Sequence, residues 1–320
     1  MRKGKRWLAA AVSAAMIVQS LASVGPVYAA DDGVSIADTF TDSSFRSYVS
    51  SNFDTDSNGY LSDAEISNVT SIDVSKCSPA ISSLNGVELF TNLSKLDCNE
   101  QSIRNLDIEN LENLEYIDVS SNRIDSLTLP VSAEKLTYLD ISGNKITSLT
   151  SLADYNNLVL LNANSTNLSS IDVSNMKGLK VLGVSGTTIS TLDLGSNMEL
   201  TTLYCDSMRS LPVLDVSGHE KLKNLYCAGA KSDSGVVVRS SITKLDVSGD
   251  IVLGSLDCSN SYVAELNIDN TPALTTLDCS NTRLTSIDVS KNTSLSYLDV
   301  SSNVLGAVDF TANTALRELY

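Results

Sequence analysis

The sequence predicts a solenoid, a fold in which successive coils of similar sequence stack into one continuous body. One leucine position recurs every 21 or 22 residues along most of the chain, with a single interval of 31 residues. Within each unit, a short segment alternates apolar and polar residues with a period of two, as a half-buried strand does. A second apolar cluster follows in each unit, so every unit has the residues needed to close a coil.

The fullest repeat is LTTLDCSNTRLTSIDVSKNTS, residues 274–294, with the template L-x-x-L-D-C-S-x-x-x-L-x-x-L-D-V-S-x-N-x-x. One such strand cannot bury its own apolar face. Stacked copies, however, form a parallel sheet over a shared core, with strands roughly 4.8 Å apart. The leucine column consists of Leu93, Leu114, Leu136, Leu158, Leu179, Leu200, Leu222, Leu253, Leu274, Leu295 and Leu316.

This unit resembles the leucine-rich repeat, and its length and the segment ISSLNGVELFTNLSKL (81–96) are similar to those of bacterial internalin-type surface proteins. The resemblance covers residues 69–320, with about eleven repeats and an incomplete last one, from which a missing C-terminal portion is expected. It implies a leucine-rich-repeat solenoid with a curved parallel sheet on the concave side and short strands or 3-10 turns on the convex side. It also implies that the concave face binds partner proteins.

The first 29 residues have the pattern of a secretory signal peptide, with a basic start, an apolar run and a small-residue cleavage site ending at Ala29. A retained membrane anchor is the alternative, but Ser13, Gln19 and Ser20 interrupt the apolar run. No second apolar run of spanning length follows. We therefore expect a secreted, extracellular protein that is not inserted in the membrane after cleavage and is attached to the cell wall only through a missing C-terminal region.

The net charge of the chain limits the kinds of molecule that are expected to bind it. Cleavage removes four basic residues and no acidic ones, which takes the formal net charge from −16 to −20. A chain this acidic repels phosphate backbones and anionic lipid headgroups, so neither nucleic acid nor a membrane surface is an expected partner.

The cysteines follow the repeat. Five occupy the inward strand position that valine or isoleucine holds in other repeats, which indicates buried, reduced thiols. Disulfides between stacked neighbours are the alternative, but parallel side chains one strand apart hold their Cβ atoms too far apart for an unstrained bond. No C-x-x-C pair supports a zinc site. The five are Cys98, Cys205, Cys227, Cys258 and Cys279, while Cys77 lies outside the column and its pairing is left open.

Residues 54–65, DTDSNGYLSDAE, match the calcium-loop pattern D-x-[DN]-x-[DN]-G-x5-E at every fixed position. The segment resembles an EF-hand loop, which implies a Ca²⁺ site; a chance match in a polar loop is the alternative. The implied ligands are the side chains of Asp54, Asp56 and Asn58, the carbonyl of Tyr60, Ser62 through a water, and both oxygens of Glu65.

The segments beside the loop predict a small helical cap over residues 30–68. Upstream, Phe45, Tyr48, Val49 and Phe53 share one helix face, and Asp42 or Ser43 caps that helix. EF-hands usually occur in pairs and dockerin modules carry duplicate loops, but this chain has one copy. A single extracellular site is expected to bind weakly, at roughly 10⁻⁴ to 10⁻³ M. Its predicted role is to hold a cap that closes the first coil.

The outward positions of the predicted sheet form two columns. One carries aspartates in two runs, Asp97, Asp118, Asp140 and then Asp257, Asp278, Asp299, which indicate either a solvated hydrogen-bonding face or a ladder of weak calcium sites. Apolar residues drawn from both outward columns form a stripe, which predicts a ligand-binding surface on the concave face. The alternative is that tyrosine is present only because it suits an exposed strand position. The stripe is Tyr116, Tyr138, Leu160, Val181, Tyr204 and Tyr226.

Nothing in the sequence assembles a catalytic centre. The chain has one histidine, His219, predicted to be a solvated turn residue, so a Ser-His-Asp or Cys-His arrangement has little support. The long interval adds about ten residues near 228–241, predicted to leave the solenoid as a loop. Three functions remain open: a secreted or cell-surface module binding a host or cell-surface protein rather than a glycan, a non-catalytic targeting or spacer region of a larger extracellular enzyme, and a structural cell-envelope protein.

Overall fold

The computed structural model describes residues 33–149, 152, 154–231 and 236–320. The predicted signal peptide, residues 1–29, lies outside the described residues. Within the described part of the chain, no helix is both long enough and apolar enough to cross a membrane.

The N-terminal cap consists of short helices and a two-stranded antiparallel ribbon. In chain order its elements are β1 (Val34–Ser35), α1 (Ile36–Thr39), α2 (Ser43–Asn52), β2 (Tyr60–Leu61) and α3 (Asp63–Asn68). The predicted helix is confirmed as α2, and Asp42 is its cap, because its carboxylate accepts hydrogen bonds from the amides of Ser44 and Phe45. Phe45 and Val49 are fully buried on its inner face.

Beyond the cap, short strands connected by turns make up almost all of the regular structure that is described. They are β3 (Ser71–Asp73), β4 (Lys95–Asp97), β5 (Asn105–Asp107), β6 (Tyr116–Asp118), β7 (Ser126–Thr128), β8 (Tyr138–Asp140), β9 (Leu160–Asn162), β10 (Val181–Gly183), β11 (Thr202–Tyr204), β12 (Val213–Asp215), β13 (Asn224–Tyr226), β14 (Ala230–Lys231), β15 (Val237–Val238), β16 (Lys244–Asp246), β17 (Ser255–Asp257), β18 (Glu265–Asn267), β19 (Thr276–Asp278), β20 (Tyr297–Asp299) and β21 (Glu318–Leu319). One 3-10 turn, Val87–Leu89, precedes β4.

Twelve strands form one parallel sheet, called the long sheet below, in the spatial order β3-β4-β6-β8-β9-β10-β11-β13-β17-β19-β20-β21. The register is constant, so middle residues of neighbouring strands face each other, as Leu182 faces Leu161 and Leu203. These three leucines are fully buried, whereas the residues on either side of each point outward. The predicted solenoid is therefore confirmed, with the alternating pattern placing one column inward and two columns outward.

The opposite side of the coils carries only small pieces of sheet in the described residues. Strand β5 pairs with β7, and β12, β16 and β18 form a three-stranded sheet, all of them parallel. This agrees with the short strands predicted for the convex side.

Nine coils turn away from the long sheet at a residue with left-handed backbone geometry, two positions after the inward Cys, Val, Ile or Ala. Glycine adopts this conformation at little cost, and Gly143 and Gly186 occupy it in two coils. Other coils place serine, asparagine or glutamate there with φ between 52° and 57°. These residues are Glu100, Ser121, Ser165, Ser207, Asn260, Asn281 and Ser302.

The long interval between repeats forms a hairpin in its described part. Strand β14 pairs with β15 in antiparallel register, with Ala230 opposite Val238. Residue Arg239 then fixes the hairpin to the next coils, because its guanidinium donates to the carbonyl of Ser261 at 2.8 Å and to the carbonyl of Asn281. The described part of the insertion is therefore a short hairpin fixed at its end to the neighbouring coils.

The core explains the cysteine pattern. Cys98, Cys205, Cys227, Cys258 and Cys279 are fully buried, and all six cysteines are unpaired. Burial raises the pKa of the Cys279 thiol to about 12, so this thiol is held in the neutral form. Cys77 is half-buried and unpaired.

The cap closes the first coil through a cluster of aromatic rings. Phe40 stacks on Phe90 with ring centroids 6.0 Å apart, and Phe53 meets the same ring edge-on at 5.3 Å. Polar contacts add to this packing: the amide of Asp73 in β3 donates to the Tyr48 hydroxyl at 3.2 Å. Apolar residues that would be exposed at the end of the solenoid are thereby covered.

Candidate functional site

The loop between α2 and α3 brings three carboxylates together. Ligand oxygens of Asp54, Asp56 and Glu65 all lie within 4.8 Å of one another. Asp54 is nearly buried, whereas Asp56 is exposed and Glu65 is half-buried. Oxygen atoms in this number and arrangement are the donors that Ca²⁺ prefers.

Backbone amides hold the first half of the loop in shape. The two carboxylate oxygens of Asp54 accept hydrogen bonds from the amides of Asn58 at 3.1 Å and Gly59 at 3.0 Å. Gly59 has a φ of +86°, which a residue with a side chain rarely adopts. The side-chain oxygen of Asn58 accepts from the amide of Tyr60 at 2.7 Å, so this predicted ligand is fixed within the loop.

Glu65 closes the loop and also caps α3. Its Oε1 accepts from the amide and the hydroxyl of Thr55, both at 2.6 Å. Its Oε2 accepts from the amide and hydroxyl of Ser62, each at 2.9 Å, in a capping box at the start of α3. These hydrogen bonds, that from the Thr55 hydroxyl first, lower the pKa of Glu65 to about 2. The side chain is therefore an ionised acceptor at neutral pH.

The loop has a strand partner within the cap, which sequence reasoning missed. Tyr60 and Leu61 pair with Ser35 and Val34, and Leu61 is fully buried. The two-residue segment Val34–Ser35 carries no motif of its own and gave no signal in the sequence. It gives this single loop the strand pairing that a second loop would otherwise provide.

The outward face of the long sheet carries the predicted apolar stripe. Tyr116, Tyr138, Leu160 and Val181 occupy the first outward column on four adjacent strands. The rings of Tyr116 and Tyr138 stack with centroids 4.2 Å apart and planes 10° from parallel. Burial raises the pKa values of both hydroxyls, so both side chains are neutral hydrogen-bonding groups.

Tyr204 and Tyr226 form a second stacked pair in the other outward column, with centroids 4.9 Å apart. They are the most exposed members of the stripe, at 37% and 39%. In this column the pair follows Gly183, where an added Cβ would lie 2.7 Å from the side-chain oxygen of Asn162. The six predicted residues thus share one face of the sheet. Leu160 and Val181 continue the column of Tyr116 and Tyr138, and the pair Tyr204–Tyr226 lies in the other column on the strands that follow.

The prediction of a solvated acidic face is wrong for its first run. Asp97, Asp118 and Asp140 are only 8 to 9% exposed. Each turns back onto the chain, as Asp118 does by accepting from the amide and hydroxyl of Ser120 at 3.0 and 2.6 Å. Burial accordingly raises the pKa of Asp97. The second run, from Asp257 to Asp299, is half-buried.

The prediction of a solvated His219 is also wrong. The side chain is buried, with Nδ1 2.7 Å from the carbonyl oxygen of Val216 and Nε2 3.2 Å from that of Leu194. It lies on the turn, as expected, but the turn is covered by the coils on either side. The ring thus lies between the carbonyl of Val216 in its own coil and that of Leu194 in the preceding coil, and the tautomer decides to which of them it donates.

Comparisons with known proteins agree with this geometry. Residues 112–154 match a model of two leucine-rich repeat copies, and residues 291–309 match a single-repeat model. Comparison with curated protein sequences finds no match. The coil geometry and these matches together define a leucine-rich-repeat solenoid, a class of fold that typically serves as a non-catalytic scaffold for protein interactions.

Solved structures of similar fold come from several sources. The functional domain of InlJ from Listeria monocytogenes, which includes a cysteine ladder, is 24% identical with a TM-score of 0.52, and the match covers 88% of this chain and 74% of that chain. The internalin InlF from the same species is 16% identical with a TM-score of 0.58, covering 90% and 97%. TLR13 in complex with ssRNA13 is 20% identical with a TM-score of 0.53, covering 72% and 37%. At these identities the likeness establishes the fold alone.

Proposed function

We propose that the protein is a secreted or cell-surface bacterial recognition module that binds a protein partner through the outward face of the long sheet. The observation that carries this proposal is the pair of stacked tyrosines Tyr204 and Tyr226, both more than one-third exposed, on the same face as Tyr116 and Tyr138. Exposed tyrosines offer rigid apolar area and a hydrogen-bonding hydroxyl, which suits a protein interface.

A protein is a better partner for this face than a nucleic acid. The similar fold of TLR13 was solved with an RNA, but this chain is strongly acidic, and the aspartates of the outward face lie in the same column as Tyr204 and Tyr226. Phosphate groups would be repelled there, whereas a protein surface can present complementary charge.

Substitution of the more exposed tyrosine pair tests this function. The double variant Tyr204→Ala, Tyr226→Ala should lose capture of a surface or extracellular protein by the immobilised protein, and affinity for the purified partner should fall by at least tenfold, since aromatic anchors commonly dominate binding energy. The matched control is Val213→Ala with Val304→Ala, two exposed apolar residues outside the long sheet. Equal capture by both double variants, at unchanged melting temperature, would refute the proposed face.

We further propose that Ca²⁺ binds the loop of residues 54–65 and stabilises the cap. The supporting observation is the convergence of three carboxylates, Asp54, Asp56 and Glu65, which repel one another unless a cation lies between them. Asn58, Tyr60 and Ser62 complete the proposed ligand set. Calorimetric titration with CaCl₂ measures the binding directly, and absence of heat at millimolar calcium would refute it.

A further inference from the structure

The outward face of the long sheet is almost devoid of cations. Lys95 is the one basic residue at the outward strand positions of the described sheet, and it lies near one end, in β4. The acidic residues at these positions are Asp73, Asp97, Asp118, Asp140, Asp257, Asp278, Asp299 and Glu318. The face therefore has a strong excess of negative charge next to aromatic rings.

Lys95 shows how this face binds a cation. Its ammonium group lies 3.5 Å from a carboxylate oxygen of Asp73 and 3.7 Å from Asp97 Oδ2. The same nitrogen lies 5.3 Å from the centre of the Tyr116 ring. Carboxylates from one outward column and a tyrosine from the other thus hold one ammonium group, by ion pairing and by attraction to the ring face.

One strand further along, Tyr116 occupies the position equivalent to Lys95, and no described basic side chain pairs with Asp118. Asp118 is 9% exposed, and its Oδ1 is occupied by Ser120. No described residue donates a hydrogen bond to Asp118 Oδ2. Its neighbours differ: Asp97 Oδ2 faces Lys95, and Asp140 Oδ2 accepts from the side-chain amide of Asn162 at 2.8 Å. Asp118 Oδ2 is not among the buried polar atoms that lack a partner, so it remains in contact with solvent and can accept a hydrogen bond from a group outside the chain.

The tyrosines complete this position. Tyr116 is in the same strand as Asp118, and Tyr138 stacks on it from the next strand. Lys95 and Tyr138 cover the two faces of the Tyr116 ring, so the outer edges of the stacked pair are what the rings offer to the methylene chain of a long side chain. The charged end of such a side chain can reach the aspartate column two residues along the strand.

We propose that the partner presents a lysine side chain that lies along the outer edges of the Tyr116–Tyr138 pair and places its ammonium group at Asp118. This inference rests on the proposed function and adds the chemistry of the partner: a basic protein segment lying across the strands. Charge complementarity selects this occupant, because an acidic peptide, a nucleic acid or an anionic glycan would meet aspartates in both directions along the column.

The test uses a defined peptide. The probe is acetyl-Lys-Ser-Lys-Ser-Lys-Ser-Lys-amide, compared with the same peptide carrying acetylated lysines, by calorimetric titration of the purified protein at low salt. The lysine peptide should bind and the acetylated peptide should not. Asp118→Asn should weaken binding about fivefold or more, because it removes one charge contact. The control Asp288→Asn alters an aspartate in the same kind of turn, with Ser290 as the donor, outside the long sheet, and should change affinity little.

A gain-of-affinity variant guards against a folding artefact. Lys95→Met frees Asp97 and the Tyr116 ring for a second lysine of the peptide, so it should tighten binding several-fold. Lys291→Met removes the same charge from an exposed position outside the sheet and should leave binding nearly unchanged. Equal effects of the two aspartate variants, equal effects of the two lysine variants, or binding of the acetylated peptide would overturn the inference.

Failure of the inference is distinguishable from failure of the proposed function. If the lysine peptide does not bind while the Tyr204→Ala, Tyr226→Ala variant still loses its natural partner, the lysine position is wrong and the interaction face stands. If the tyrosine variant also keeps its partner, both proposals are refuted.

Discussion

Asp250 is a fully buried carboxylate in a position where other coils use an amide. Its Oδ1 accepts from the amide of His219 at 2.8 Å, whereas Oδ2 has no partner among the described residues. Asn197 and Asn313 occupy the equivalent turn positions and donate to backbone carbonyls of the preceding coil. A carboxylate cannot donate unless it is protonated. Burial raises the pKa of Asp250 to about 8, consistent with a protonated side chain at neutral pH.

This residue should make stability depend on pH. An unfolded aspartate has a pKa of about 3.9, and the folded value is about 8. The folded state therefore binds the proton more tightly, so the stabilising contribution is complete below about pH 4, falls as the pH rises, and is lost above about pH 8.

In urea unfolding at pH 5, 6.5 and 8, wild-type stability should decline, whereas Asp250→Asn should remove most of that decline and be the more stable protein at pH 8. The exposed substitution Asp288→Asn is the control and should keep the wild-type slope; a parallel slope in Asp250→Asn would contradict the assignment.

At the scale of elements, the cap is a helix–loop–helix unit. Contacts between side chains attach it to the first coil, and its own strands do not join the long sheet. The Phe90 ring and Asp42, which accepts from the amide and hydroxyl of Ser82 at 2.9 and 2.7 Å, provide the attachment. Phe53 and Asp54 are consecutive residues, so the aromatic contact and the carboxylate cluster are joined by one peptide bond. Ordering the loop around an ion should therefore also order the contact with the solenoid.

Calcium should raise the thermal stability of the cap. At 10 mM Ca²⁺ and a dissociation constant near 1 mM, the expected stabilisation is about 1.4 kcal/mol. The variant Asp54→Asn, Glu65→Gln should lose this calcium-dependent increase in melting temperature. Because Glu65 also caps α3, the informative quantity is the difference with and without calcium, not the absolute melting temperature. Asp63→Asn, an exposed carboxylate of the same segment that is outside the ligand set, should retain the full increase; a calcium response that survives in the double variant would rule out this loop as its source.

The sequence predicted the strands and helices well where the spacing of one kind of buried residue was enough to define them. The leucine column predicted the sheet, and the aromatic spacing from Phe45 predicted α2, because burial depends on periodicity that a single sequence shows. Exposure was predicted poorly at Asp118 and His219. Both are polar side chains at positions that also carry polar residues in several other coils, such as Asp140 and Asn197. Their burial results from the neighbouring coils, which cover the turn and the strand end. The pairing of Val34–Ser35 with the loop could not be predicted, because a two-residue strand has no pattern.

In the whole molecule, each coil is held mainly by the coils before and after it. The long sheet pairs each strand with its two neighbours only, and the inward column is fully buried in the interior, as at Leu203, but half exposed at the last strand, as at Leu319, which is 46% exposed. Stability in such an array is close to a sum of terms between neighbours. A defect in one coil should therefore weaken that coil and its two contacts, and leave distant coils intact.

Truncation of one core leucine tests this organisation. Leu203→Ala in β11 should cost about 2 to 5 kcal/mol, since it leaves a cavity in a fully buried column. Leu319→Ala should cost roughly half of that or less, because a large part of its side chain is already in contact with water. In hydrogen exchange, Leu203→Ala should speed exchange in β10, β11 and β13 while the cap and β19 to β20 keep their protection. Uniform acceleration from the cap to β20 would instead mean that all coils unfold as one cooperative unit, and the nearest-neighbour description would then be wrong for this solenoid.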